Sequence, residues 1–176
     1  MRHMIVSGAI AAALLAVGGM AAAAQESRTV LTYAAASEVR DGCVAWASER
    51  DLTISLAVFD DAGRLITTAH LDGTPTAIAE VAQWKGKSAA TYRQPSAATA
   101  TWGGSAPLLA DWAGGVPFSA PDGTPLGAIG VSGASGDEDV ACAEYIRGLL
   151  GGEGISVSLG DLPDAAFGED GAGEGL

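Results

Sequence analysis

The stretch GGVPFSAPDGTPLGAIGVSG, residues Gly114 to Gly133, restricts the fold more than any other part of the chain. It contains six glycines: Gly114, Gly115, Gly123, Gly127, Gly130 and Gly133. They fit no nucleotide loop. No Gly-Lys-Ser/Thr follows, and the spacing of three and three at Gly127, Gly130 and Gly133 is not that of a dinucleotide fingerprint. Asp122-Gly123 instead marks a tight turn between two extended runs. In the second run Leu126, Ala128 and Gly130 alternate with Gly127, Ile129 and Val131. Glycines on both faces of one strand imply that something packs closely against it. The expectation is a hairpin whose second strand is closely approached by a helix, a ligand, another backbone or a neighbouring subunit, with Gly127 and Gly130 as packing positions rather than phosphate ligands.

The rest of the chain must supply that covering layer. Thr29 to Arg50 reads as a helix with an apolar stripe at Ala35, Val39, Cys43 and Trp46. Leu52 to Asp60 and Arg64 to Leu71 read as a second hairpin around Asp61-Ala62-Gly63. A helix opened by Thr74 or Thr76 runs to about Tyr92, and Pro95 stops it. Residues 96–113 read as a loop with a short helix. Ser135 to Leu150 closes the pattern as a helix opened by Asp137, Glu138 and Asp139, acids that favour a helix N-terminus. Helix, hairpin, helix, loop, hairpin, helix is an α+β order, with an antiparallel sheet and helices packed on it.

The ends read differently. Arg2 and His3 precede an apolar run from Met4 to Val17 and then MAAAAQ, a basic start, apolar core and Ala-x-Ala-like site. Residues 1–24 are therefore expected to be a signal peptide, and the protein to be exported to a periplasm or the extracellular space. Gly151 to Leu176 holds six acids, eight glycines and no Lys or Arg, which reads as an acidic flexible tail. Its ISVSL segment offers a short edge strand. The domain itself is residues 25–150. Removing one Arg with the leader leaves 8 basic and 21 acidic side chains, a charge of −13. That excess argues against nucleic acid and anionic membrane surfaces as partners. Export permits a disulfide between Cys43 and Cys142; the alternative is two buried thiols.

Three segments then match one known pattern: ISLAVFDDAGRLITTAHLDG, AQWKGKSAAT, and the glycine-rich hairpin followed by DEDVACA. Over about residues 30–150 the chain resembles the GlcG/HbpS-like family, also found as the C-terminal domain of PduO-type proteins. Gly127 to Gly133, GAIGVSG, is the most specific piece. The resemblance implies a profilin-like α/β/α fold, haem binding in several members, and homo-oligomers. It does not by itself fix function. Two departures stand out. His70-Leu71-Asp72-Gly73, preceded by Ala69, replaces R-M-D-G, and Lys85-Gly86-Lys87-Ser88 replaces K-A-R-T. Gly86 weakens a helix interior by about 1 kcal/mol relative to Ala, yet its missing side chain leaves room for a flat ligand.

Haem ligation is narrowed by composition. All three methionines, Met1, Met4 and Met20, and His3 fall in the leader, which leaves one histidine and no methionine. His–Met and bis-His ligation within one chain are then excluded. The remaining metal ligands are His70, a tyrosine such as Tyr92, a thiolate if the cysteines are unjoined, or a weak oxygen. His70 reads equally as a solvated strand-end histidine. Lys85, Lys87 and Arg93, on or just after one helix, are candidates to pair with propionates; each alone reads as a solvated helix position. An enzyme has little support. There is no G-x-S-x-G, no metal spacing of His and Cys, and the acids at strand ends fit turns. The expectation is an exported haem- or small-ligand-binding protein. The alternative is a small enzyme or assembly module on the same fold without haem.

Overall fold

The computed structural model describes residues 28–103 and 106–150. The expected leader and acidic tail lie outside the described residues.

Helix α1 spans Tyr33–Ser48. It starts four residues later than the apolar stripe alone predicts, because Thr32 is its cap. The Thr32 hydroxyl accepts the Ala35 N–H at 3.2 Å, satisfying one of the amides that a helix start leaves orphaned. Strands β1 (Ser55–Asp60) and β2 (Leu65–His70) form the first hairpin. Asp60 closes its turn by accepting from the Ala62 and Arg64 amides, both at 2.9 Å. Helix α2 is Thr76–Tyr92 and the short helix α3 is Ser96–Thr99. The cap position of α2 is Pro75, and Thr74 uses its hydroxyl on the Ile54 carbonyl instead. Neither threonine caps the helix as the sequence pattern predicts. Strands β3 (Gly115–Ser119) and β4 (Pro125–Ser132) form the second hairpin, and helix α4 is Gly136–Leu150.

The four strands form one antiparallel sheet in the order β2-β1-β4-β3. The two hairpins therefore meet through their hydrophobic inner strands, β1 and β4. Alternation then sorts side chains onto two faces. Leu56, Val58, Val116, Phe118, Ile129 and Val131 face α1 and α4 and share a core with Val39, Trp46 and Ile146. Ala57, Phe59 and Ala128 face α2 and pack on Ala89 and Ala90. The result is the expected three-layer α/β/α arrangement.

One alternation differs from expectation. Leu126 packs in the larger core with Ile129 rather than beside Ala128. The β3–β4 register shifts by one residue between Phe118 and Ser119. This bulge, together with Gly127 at φ +146°, turns the start of β4 over.

The α2 face is lined by small residues, and this is what Gly130 is for. A Cβ at Gly130 would lie 2.7 Å from the Gly86 Cα and would overlap the Ala82 carbonyl. Gly86, the residue that departs from the family pattern, would in turn put its Cβ 2.7 Å from the Gly130 nitrogen. Helix and strand backbones touch at this pair, so the room beside Gly86 is taken by β4 and the Phe59 ring and not, as expected from the sequence, by a flat ligand. Gly127 faces β1, where a Cβ would come within 3.0 Å of the Asp60 Cα.

On the opposite face, α1 and α4 are joined by the Cys43–Cys142 disulfide, with Cα atoms 5.3 Å apart. That separation lies within the range a disulfide spans. The bridge spans 99 residues, so the unfolded chain loses much freedom when it is present. Replacing both cysteines with Ala is expected to lower stability by about 2–5 kcal/mol. Denaturant titration without reductant checks this; an unchanged midpoint would show that the bridge contributes nothing.

Candidate functional site

Helix α2 turns only part of its surface to the sheet. Its other face carries Glu80, Gln83, Trp84 and Lys87, spaced i, i+3, i+4 and i+7, so the four form one stripe. This stripe overhangs the β1–β2 hairpin. Between them lies a pocket of about 590 Å³, walled by Phe59, Leu65, Trp84 and Leu108 and flanked by Arg64 and Lys87. Its size falls within the range of small-molecule and cofactor sites, about 300–1,000 Å³. Leu65 and Leu108 are about half exposed, at 48% and 50%, and form an apolar rim open to solvent. The Trp84 ring is held edge-on by Trp112, with centroids 6.0 Å apart. Arg64 is tied by Nε to Asp60 at 2.7 Å; its Nη groups have no protein partner among the described residues. Lys87 likewise has no ion-pair partner among them. The chemistry on offer is an apolar pocket with two cations, Arg64 and Lys87, and one carboxylate, Glu80, around it.

Lys85, one residue from Trp84, points elsewhere. It is 3% exposed. Its Nζ donates to Asp139 Oδ2 at 2.9 Å and to the Val131 carbonyl at 3.1 Å. Asp139, at the start of α4, also accepts the Ala134 amide at 3.2 Å. Gly114 leaves room for the pair, since a Cβ there would lie 2.9 Å from Asp139 and 3.1 Å from Lys85 Nζ. Burial pushes the Asp139 carboxyl up to about 6, and the Lys85 ammonium only partly offsets it. Lys85, the Gly114 hairpin and the acidic helix start thus converge on one buried ion pair. A second pocket, of about 500 Å³, opens beside it along Trp112, Ser132 and Gly133.

The other residues singled out in the sequence lie away from the pocket of about 590 Å³. His70 is exposed at the end of edge strand β2. Its Nδ1 is 2.5 Å from the Ser55 hydroxyl, and Nε2 has no hydrogen-bond partner among the described residues. Leu65, in the large pocket, is at the other end of β2, about 17 Å away at the rise of a strand. Tyr92 donates its hydroxyl to the Pro107 carbonyl at 2.6 Å and stacks edge-on against Trp102. Arg93 ends α2 in the left-handed region at φ 55° and lines a third, smaller pocket of about 190 Å³ with Phe118 and Gly127. Of the five expected cofactor residues, only Lys87 lines the 590 Å³ pocket. The periodic stripe on α2 was the signal for Glu80, Gln83 and Trp84. No local signal marks Leu65 or Leu108, which reach the pocket through tertiary contact. Among the described residues no three His, Cys, Asp or Glu side chains gather as a metal site, and no helix is long and apolar enough to cross a membrane.

A single four-stranded antiparallel sheet between α2 and the α1–α4 pair, with ligand-sized pockets at its edges, defines a small α+β class of domain. Solved structures share it. HbpS superposes with a TM-score of 0.65 and 30% identity, covering 72% of this chain and 94% of that one. A double mutant of Streptomyces reticuli HbpS gives 0.65 and 29%, covering 72% and 90%. The PduOC:Heme complex shares the fold at a TM-score of 0.64 and 16% identity, covering 73% and 99%. No curated protein gives a significant match. The family model for HbpS-like haem degrading proteins matches residues 31–147, and the chain belongs to that family.

Proposed function

We propose that this protein is an exported haem-binding protein that seats the macrocycle in the pocket between α2 and the β1–β2 hairpin. The observation that carries this reading is the pocket itself, a slot walled by Phe59, Leu65, Trp84 and Leu108 with Arg64 and Lys87 beside it. A haem presents a broad apolar face and two carboxylates, so it matches that combination of walls and cations. Family membership and the haem complex of a protein with the same fold support it. When bound, the haem would supply iron redox chemistry; the chain's own residues bind the ring and orient its carboxylates. Haemin added to the purified protein is expected to give a saturable Soret shift. Leu108→Glu, which places a charge on the exposed rim, is expected to weaken binding about tenfold or more. No saturable shift at micromolar protein would favour the alternative of an assembly module or enzyme without haem.

A second reading places the iron on His70. The engaged Nδ1 of His70 supports it, because a histidine whose one nitrogen is fixed presents the other as a ligand. His70→Ala in the same titration separates the two positions. Homo-oligomers are part of the proposal, since Tyr33, Trp102 and Trp112 leave large aromatic surfaces exposed; sedimentation velocity decides the state. Export rests on the leader-like first 24 residues. The exported form is expected to begin near Gln25, and an intact Met1 in its mass spectrum would contradict this.

A further inference from the structure

The pocket fits the ring of a haem better than its iron. Besides the four apolar walls and two cations, its lining is Gly63, Glu80 and Gln83. None of these is His, Cys, Met or Tyr, the side chains that hold haem iron strongly. No tyrosine lines the pocket, and the candidate ligands the sequence offered are committed elsewhere. The sulfurs of Cys43 and Cys142 are joined to each other. Tyr92 is bonded to the Pro107 carbonyl. His70 sits at the far end of β2, held by Ser55. The described residues include no methionine. What remains within the pocket is one carboxylate and one amide, oxygen donors that suit hard ions rather than a porphyrin iron.

We infer that, if the ring is seated in this pocket as proposed above, the site recognises the class of planar tetrapyrrole dicarboxylates rather than haem in particular. Recognition runs through the ring face on Trp84, Phe59, Leu65 and Leu108, and through the carboxylates on Arg64 and Lys87. The iron adds little to affinity because the pocket holds no strong donor for it. The site is then a carrier or store of porphyrins, metal-loaded or metal-free.

The test uses the full mature chain and two probes, haemin and metal-free protoporphyrin IX. Haemin is followed by its Soret band and the metal-free ring by its fluorescence. The dissociation constants are expected to agree within about threefold, where a strong axial bond would separate them by tenfold or more. Leu108→Glu should weaken both probes in parallel, and His70→Ala should change neither. Esterifying both carboxylates of protoporphyrin should weaken it, and the Arg64→Glu, Lys87→Glu pair should remove that difference. All four sites of substitution are exposed, so the variants test binding without disturbing the core. Haemin binding at least tenfold tighter than the metal-free ring, with the excess lost in His70→Ala, would overturn the inference while leaving a haem protein. Failure of both probes to bind would overturn the proposed function itself.

Discussion

Gly130→Val is expected to destabilise the domain by about 3 kcal/mol or more, at or beyond the upper end of ordinary overpacking. The reason is what the new side chain meets. Most overpacked cores relax by shifting a flexible side chain. At Gly130 the neighbours are backbone atoms, the Ala82 carbonyl and the Gly86 nitrogen and Cα. Only movement of α2 as a body could relieve the clash. That movement would pull Ala89 and Ala90 from Ala57, Phe59 and Ala128, and would reshape the pocket on the outer side of α2. Urea unfolding checks the size of the effect. A variant with a wild-type midpoint would show that helix and strand do not touch at this glycine. The space above Gly130 is filled by α2, so the glycine serves packing rather than phosphate contact.

Asp139→Ala is expected to lower stability by about 3–5 kcal/mol at neutral pH, because it leaves the Lys85 ammonium buried without its charge partner. Lys85 and Asp139 are both nearly inaccessible, at 3% and 2% exposure. The pair is costly to bury, so it need not be better than an apolar one. The double variant Lys85→Met, Asp139→Leu is expected to recover most of the loss. If it is as unstable as Asp139→Ala, the damage lies in lost geometry at the start of α4 rather than in the stranded charge.

The same carboxyl has a pH signature. In the native state it keeps its proton up to about 6, against an ordinary value of 3.8. Between those values the native state binds more protons than the unfolded state. This group therefore contributes a stability that falls as pH rises from about 4 to 6. Asp41, Asp60, Asp122 and Glu138 are held below their ordinary values and act in the opposite sense at lower pH. The difference between wild type and Asp139→Asn isolates the term. It should shrink the downward slope between pH 4 and 6, and identical slopes would contradict it.

Much of the fold was legible because its signals are local. The paired turns, the α1 stripe and the acids opening α4 each act over a few residues, and alternation then assigns most sheet faces. Glycines on both faces of β4 announced a close neighbour, which proved to be α2 at Gly130 and β1 at Gly127. The misses are where tertiary contacts override local preference. Thr74 looks like a helix cap but spends its hydroxyl on Ile54 across the sheet end. Leu126 looks like a partner of Ala128 until the bulge opposite Phe118 is known. The site was less legible. Lys85 and Lys87 are both cations on one helix, yet two residues rotate a side chain by about 200°. One enters the interior and the other reaches the pocket. Sequence spacing contained that distinction, but without the sheet's position it could not say which face was buried.

The central claim is that a porphyrin sits against Trp84 and not at His70. Ferric haemin is paramagnetic and broadens nuclear resonances close to its iron. Titrating it into isotope-labelled protein and following the Trp84 indole N–H and the His70 ring signals tests the claim directly. The pocket reading predicts that the Trp84, Leu65 and Leu108 signals broaden at substoichiometric haemin while the His70 ring signals persist. Early loss of the His70 and Ser55 signals, with Trp84 unaffected, would contradict it.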